Sequence, residues 1–298
     1  MRIGVSAWVW TAPVTDDVLE SLIPRAAAIG YDCVEVPLEH GMPHDAVRIG
    51  ELALAHGVSL SACTVITPGL DLLVAAEREA GVAHLCRCAD LAAAMGARVL
   101  AGPFYSAVGR CWRLGPGERA PLVASLADSL RAVGDHAASR GVALAIEPLN
   151  RFESSFLNTT EQGLELVAAV AHPAVGLGLD LFHMGIEEKQ PADAIRAAGR
   201  SLFHLQVAEN DRGTPGTGHL PWSDVALALG DVGFDGAVVL ETFPFASERI
   251  ASAAAVWRPL AADADTLARD GVRFLRSLLT PATSSRPDAH STRTSAAR

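Results

Sequence analysis

The stretch VALAIEPLNRFE, residues 142–153, starts as a strand and stops abruptly. Val142 to Ile146 form an unbroken apolar run, the pattern of a strand covered on both faces rather than one facing water. It ends on Glu147, followed at once by Pro148, which has no N–H to give to a neighbouring strand. An unpaired carboxylate at the end of a core strand would cost several kcal/mol. Glu147 therefore needs a chemical reason to be there, and Glu153, six residues on, adds a second acid to the same connection.

The same figure recurs along the chain. Runs of similar character are RIGVSAWVW (2–10), DCVEVPL (32–38), SLSACTVI (59–66), ARVLAGPF (97–104), VALAIEPL (142–149), VGLGLDLF (175–182), LFHLQVAE (202–209) and GAVVLETF (236–243). Between them lie alanine- and leucine-rich segments with helical spacing, such as DDVLESLIPRAAAIG and LVASLADSLRAVGDHAASRG, several closing on glycine as helices do. Eight strand–helix units in 298 residues predict an α/β fold, a (β/α)8 TIM barrel. An open doubly wound sheet would call for a glycine-rich phosphate turn after the first strand. VWTAPVTDD has no glycine there. The expected organisation is one barrel domain over 1–280 and a disordered tail over 281–298, where Ser, Thr, Ala and Arg dominate. The segment YSAVGRCWRLGPGERAP (105–121) is the longest connection, either a cover over the barrel mouth or a plain surface excursion.

Bulk chemistry narrows the function. A formal net charge of -10 argues against nucleic acid or an anionic membrane as partner. No apolar run approaches the length of a membrane span, and the N-terminus has no signal-peptide pattern. The odd set of five cysteines, mostly in apolar runs, suggests reduced buried thiols and a cytoplasmic protein.

In a barrel of this kind chemistry sits at the carboxyl ends of the strands. There the chain places Glu147, Asp180, Gln206 and Glu241, each inside an apolar stretch and on four consecutive strands. Three carboxylates meeting at one point repel, and a hard divalent cation resolves that repulsion through oxygen ligands. Taken singly, each acid could instead be a mouth residue paired with an arginine.

The runs IEPLNRFESSFLNT, LDLFHMGIEE, ENDRGTPGTGHLPW and VVLETF resemble those of ketose 3-epimerases of the D-tagatose/D-allulose type, within the xylose-isomerase-like superfamily of sugar isomerases and epimerases. The resemblance is firm over about 140–245 and looser before it. It implies one divalent cation per chain, Mn2+ first and Mg2+ or Co2+ next. Its ligands would be Glu147, Asp180, Glu241 and a residue on the seventh strand. That position falls on Gln206 where the family has histidine. His204 points to the same face, but Gln206 keeps the family's six-residue distance to Arg212. A neutral amide oxygen favours Mg2+ or Mn2+ over softer ions. Glu153, His183 and Arg212 are implied as substrate-binding residues. His183 could otherwise be a satisfied core histidine, and Arg212 could pair with Asp211 or Glu209. Trp8, Trp10, Phe104, Trp112 and Phe243 could wall the substrate or merely pack.

The implied reaction is epimerisation of free ketoses at C3 through a cis-enediolate. The catalytic pair would be Glu147 and Glu241, one removing a proton and the other delivering one on the opposite face. Alternatives on the same site are an aldose–ketose or hydroxypyruvate-type isomerase, raised by Gln206, and a metal-dependent lyase on keto-sugar glycosides. A metal-dependent endonuclease would need a basic patch that the sequence lacks. The partners implied are a small sugar and further copies of the chain, as a homodimer or homotetramer, with PFASERIASAAAVWRPL (244–260) as a possible contact surface.

Overall fold

The computed structural model describes residues 1–279, so the segment expected to form the tail, 281–298, lies outside the described residues. Eight parallel strands close on themselves in sequence order: β1 Arg2–Ser6, β2 Cys33–Pro37, β3 Ser59–Cys63, β4 Val99–Gly102, β5 Ala143–Ile146, β6 Val175–Asp180, β7 Leu202–Val207 and β8 Ala237–Leu240. The helices around them are α1 Asp16–Ile29, α2 Ala46–Ala55, α3 Arg78–Ala94, α4 Arg119–Ser139, α5 Thr160–Val170, α6 Leu181–Glu187, α7 Pro191–Ala198, α8 Trp222–Asp231, α9 Glu248–Ala253 and α10 Ala264–Leu279. Every apolar run in the sequence holds one strand, and each strand is shorter than its run. The first is the clearest case. Residues 2–10 divide into β1 and a 3-10 turn at Ala7–Val9, because Ser6 caps that turn by accepting from the Trp8 N–H.

Closure explains the composition. Strands in a closed parallel barrel are covered inside by one another's side chains and outside by helices, so both faces are apolar. Helix ends are set by local chemistry. Thr15 caps α1, and Thr159 with Gln162 forms a reciprocal capping box at α5. The last helix is tied back to the start of the barrel by Tyr31, whose hydroxyl donates to the Ala268 carbonyl at 2.7 Å.

Two backbone bonds beyond the strands position the acids. The Glu147 N–H donates to the Gly102 carbonyl at 2.9 Å, and the Glu241 N–H donates to the Val207 carbonyl at 3.0 Å. Each acid thus keeps sheet geometry for one residue past its strand. Gly102 itself has φ +144, and a Cβ there would sit 2.0 Å from the Thr64 carbonyl oxygen, so only glycine lets β3 and β4 meet at this rim.

The long connection before α4 lies against the mouth. Val108 lines the cavity there. Arg110 and the backbone N–H of Ala107 bind Asp71 at 2.9 and 3.1 Å, the Gly109 N–H donates to the Glu153 carbonyl at 2.7 Å, and Trp112 stacks on Phe156. Residues 119–121 already belong to α4. Segment 244–260 is not an ordinary barrel helix, because α9 is a short helix whose Ile250 and Ala253 line the same mouth. The thiols Cys33, Cys63 and Cys88 are buried, but Cys111 is exposed on the long connection, against the expectation of burial.

Candidate active site

The carboxyl ends of the strands surround a cavity of about 400 Å3. Glu147, Gln206 and Glu241 line it together with Glu153, His183 and Arg212. Asp180 stands directly behind, its Oδ2 taking an Arg212 N–H at 2.8 Å. All seven expected site residues are therefore in one place, six on the cavity and the seventh in contact with it. Strand register explains the convergence: Asp180 pairs with Gln206 between β6 and β7, and Gln206 pairs with Val239 between β7 and β8. Asp180 is also the N-cap of α6, its Oδ1 accepting from the Phe182 N–H at 2.9 Å.

Arg212 is the central cation. One of its nitrogens, Nη1, donates to Asp180 at 2.8 Å and to Glu241 Oε2 at 3.2 Å, and Nη2 is 3.8 Å from Glu153. It does not pair with Asp211, which binds Arg258, or with the Glu209 carboxylate. Its guanidinium lies 4.0 Å over the Phe182 ring. Its backbone has φ +67, the left-handed region that a long side chain rarely occupies. Thr242 holds that conformation by donating its hydroxyl to the Arg212 carbonyl, and the Arg212 N–H donates to the Glu209 carbonyl at 2.9 Å. The buried Nε has no acceptor among the described residues.

His183 has a defined tautomer. Its Nδ1 accepts from the backbone N–H of Asn150 at 3.0 Å. A backbone amide can only donate, so the neutral ring carries its proton on Nε2. Burial, and then the nearby Arg212 charge, hold the imidazole well below its usual range, so the ring stays neutral. Nε2 faces Arg212 Nη2 at 3.3 Å and Glu147 Oε1 and Asp180 Oδ2 at 3.5 Å each, so its proton is directed to the carboxylates. Side-chain atoms of Glu147, Asp180 and His183 lie within 4.8 Å of one another, close enough to surround an ion. The tautomer makes His183 a hydrogen-bond donor in that group rather than a lone-pair ligand.

Burial raises the Glu147 carboxyl well above the usual range, and repulsion from Glu241 and Asp180 raises it further. Burial also raises Asp180 and Glu241, with Arg212 offsetting part of the effect on each. Three buried acids thus share one arginine. Their oxygen atoms and the missing positive charge suit a hard divalent cation, and the residues present fit that group.

The seventh strand separates its two inward residues. Gln206 lines the cavity, whereas His204 Nε2 binds Glu35 of β2 at 2.7 Å in the barrel interior. Glu35 was not singled out in the sequence, although an acid inside CVEVP carries the same signal as one inside LAIEPL. Of the five aromatic residues considered for the wall, Trp8 and Phe243 line the cavity. Trp10 donates to Asp265 at 2.8 Å, Phe104 is fully buried, and Trp112 stacks on Phe156.

The loop ENDRGTPGTGHLPW, which carries Arg212, is organised by one carboxylate. Glu209 accepts from the backbone N–H groups of Asn210, Gly216 and Leu220 at 3.2, 2.9 and 3.1 Å and from Trp222 Nε1 at 2.8 Å. Burial alone would raise its pKa, but these four donors override it and hold the carboxyl below the ordinary range. Glu209→Ala leaves the donors unsatisfied and should cost about 3 kcal/mol in urea denaturation. It should also raise KM, because Arg212 sits on the same loop. Equal stability of the variant and the native chain would contradict this role.

Fold and geometry together define a TIM barrel that carries a cluster of buried acids at the carboxyl ends of β5 to β8. The profile of the xylose isomerase-like TIM barrel family matches residues 23–278. The D-psicose 3-epimerase of Agrobacterium fabrum is 33% identical over 270 residues, covering 86% of this chain and 92% of that protein. The ketose 3-epimerase of Arthrobacter globiformis is 32% identical over 288 residues, covering 94% and 97%. The D-allulose 3-epimerase of Methylomonas sp., solved in complex with D-allulose, superposes with a TM-score of 0.87 at 27% identity, covering 93% of this chain and 97% of that one. The chain belongs to the xylose isomerase-like TIM barrel family and, within it, to the ketose 3-epimerases; it is a sugar epimerase.

Proposed function

We propose that the protein epimerises free ketoses at C3 through a cis-enediolate, with Glu147 and Glu241 as the proton-transfer pair. One observation carries this reading: the two acids stand at the ends of β5 and β8 and line one cavity, and a run of contacts from Glu147 through His183 and Arg212 to Glu241 links them. A planar intermediate needs an acid/base group on each face, and two carboxylates on well-separated strands can supply them. One removes the C3 proton, and the other returns a proton to the opposite face.

Glu147, Asp180, Gln206 and Glu241 would hold a single divalent cation, Mn2+ by preference and Mg2+ or Co2+ otherwise. When bound, the cation polarises the substrate carbonyl and stabilises the charge that develops on deprotonation. His183 directs its Nε2–H toward a sugar oxygen. Arg212, which lines the cavity, would reach another through its guanidinium and keeps Asp180 and Glu241 in place. Glu153, which accepts from Asn150 Nδ2 at 2.9 Å, steadies the side chain that orients His183. Trp8, Ile66, Val108 and Phe243 form an apolar wall that keeps bulk water from the intermediate.

Support for a free rather than phosphorylated sugar comes from charge. Arg212 is the one arginine among the described lining residues, no lysine is among them, and Arg212 is committed to carboxylates. The test is purified protein with D-fructose, D-tagatose, D-allulose and L-ribulose in deuterated water. Deuterium should enter at C3. Label at C1 would mean aldose–ketose isomerisation, and an aglycone released from a keto-sugar glycoside would mean a lyase. We place the enzyme in the cytoplasm, on the strength of its free cysteines. We also propose a homodimer or homotetramer with the face bearing Phe245 and Trp257, both exposed, as the contact; sedimentation velocity checks it.

A further inference from the structure

Glu35 is fully buried on β2, does not line the cavity, and reaches across the barrel interior to β7. Its Oε2 binds His204 Nε2 at 2.7 Å, and its Oε1 accepts from Gln206 Nε2 at 3.0 Å. The second hydrogen of that amide goes to Glu241 Oε1 at 2.7 Å. We propose that Glu35 is a positioning residue: it fixes the amide of Gln206 with nitrogen toward the two carboxylates, leaving the carbonyl oxygen as the end free to meet a cation.

The argument is one of symmetry. The oxygen and nitrogen ends of a glutamine amide have nearly the same size and shape, so packing alone does not choose between them. Carboxyl oxygens of Glu35 and Glu241 both accept from the amide, so the pair of them fixes the nitrogen. Turning the amide over would replace two hydrogen bonds by two oxygen–oxygen contacts. Glu241 would be shared with the cation, whereas Glu35 is held away from the cavity by His204. Glu35 is thus the acceptor reserved for this task. No described residue donates to Gln206 Oε1, which leaves its lone pairs available. Groups of this kind, hydrogen-bonded to a ligand rather than ligating, typically change metal affinity by about 10–100-fold when removed.

The inference rests on Gln206 being a ligand as proposed above. Its test is Mn2+ binding to the full chain, read as free Mn2+ by electron paramagnetic resonance, for the native protein, Glu35→Leu, Gln206→Glu and the double variant. Glu35→Leu alone should weaken binding by about 10–100-fold. In the Gln206→Glu background the sign should reverse, because a carboxylate has two equivalent oxygens with no orientation to lose, and Glu35 is then only a like charge beside it. Glu35→Gln keeps an acceptor oxygen and nearly the same shape. It should show a smaller loss with Gln206 and still tighten binding with Gln206→Glu, which preserves the test if the leucine variant does not fold. A merely structural Glu35 would weaken binding equally in both backgrounds, and that result overturns the inference alone. A native chain that binds no Mn2+ overturns the metal reading and the inference together.

Discussion

Glu147→Gln and Glu241→Gln should each lower ketose epimerisation about 1000-fold, while each variant still exchanges the C3 hydrogen of one epimer with solvent. The asymmetry follows from the geometry. If the two acids flank the substrate as proposed, losing one leaves the other able to remove a proton from its own face and put it back. Deuterium then enters one C3 epimer without inversion. The two variants should label opposite epimers, read by NMR of D-fructose and D-allulose incubated separately. If both variants label the same epimer, or if one retains full epimerisation, the two-acid assignment is wrong. Glutamine preserves shape and an oxygen atom, so with saturating Mn2+ in the assay the loss reports the proton carried rather than a collapsed pocket.

Removing divalent metal should abolish turnover and change how stability depends on pH. Burial and mutual repulsion raise the Glu147, Asp180 and Glu241 carboxyls in the metal-free fold. A group with a raised folded pKa binds its proton more tightly in the native than in the unfolded state. The stability it contributes is complete below its unfolded value and is lost as pH rises through its folded value. The melting temperature of the EDTA-treated protein should therefore fall as pH rises above the ordinary carboxylate range, from these three groups. Mn2+, if these groups ligate it as proposed, would hold them ionised and should remove that decline. At about 100 times its dissociation constant, the metal should add about 2.7 kcal/mol. Differential scanning calorimetry with EDTA or Mn2+ at each pH measures both effects. Parallel curves with and without Mn2+ would leave the acids without a cation.

The acid cluster was legible in the sequence for a simple reason. Glu147, Asp180 and Glu241 each follow or end an apolar strand run, and strand order in a barrel is sequence order, so their meeting needs no long-range information. Glu35 carries the same mark on β2, but that strand lies away from the four consecutive strands that bear the cluster, so its contact with β7 is not legible from strand order. Arg212 was ambiguous. Asp211 is its neighbour in sequence, and only the left-handed turn at Arg212 sends its side chain inward to Asp180 and Glu241 while Asp211 turns out to Arg258. The aromatic residues divided for a similar reason, since hydrophobicity says that Trp8 and Trp112 are covered but not by what.

The sequence by itself determined the barrel and the positions of the acids within it, because the periodicity of apolar runs is local and parallel closure leaves the strand ends on one rim. What only the tertiary structure decided was the direction of each polar side chain: the proton of His183 on Nε2, the nitrogen of Gln206 toward Glu35, and Arg212 between two carboxylates. Those choices depend on hydrogen bonds between residues 29 to 171 positions apart, and separations of that kind leave no periodic trace in the chain.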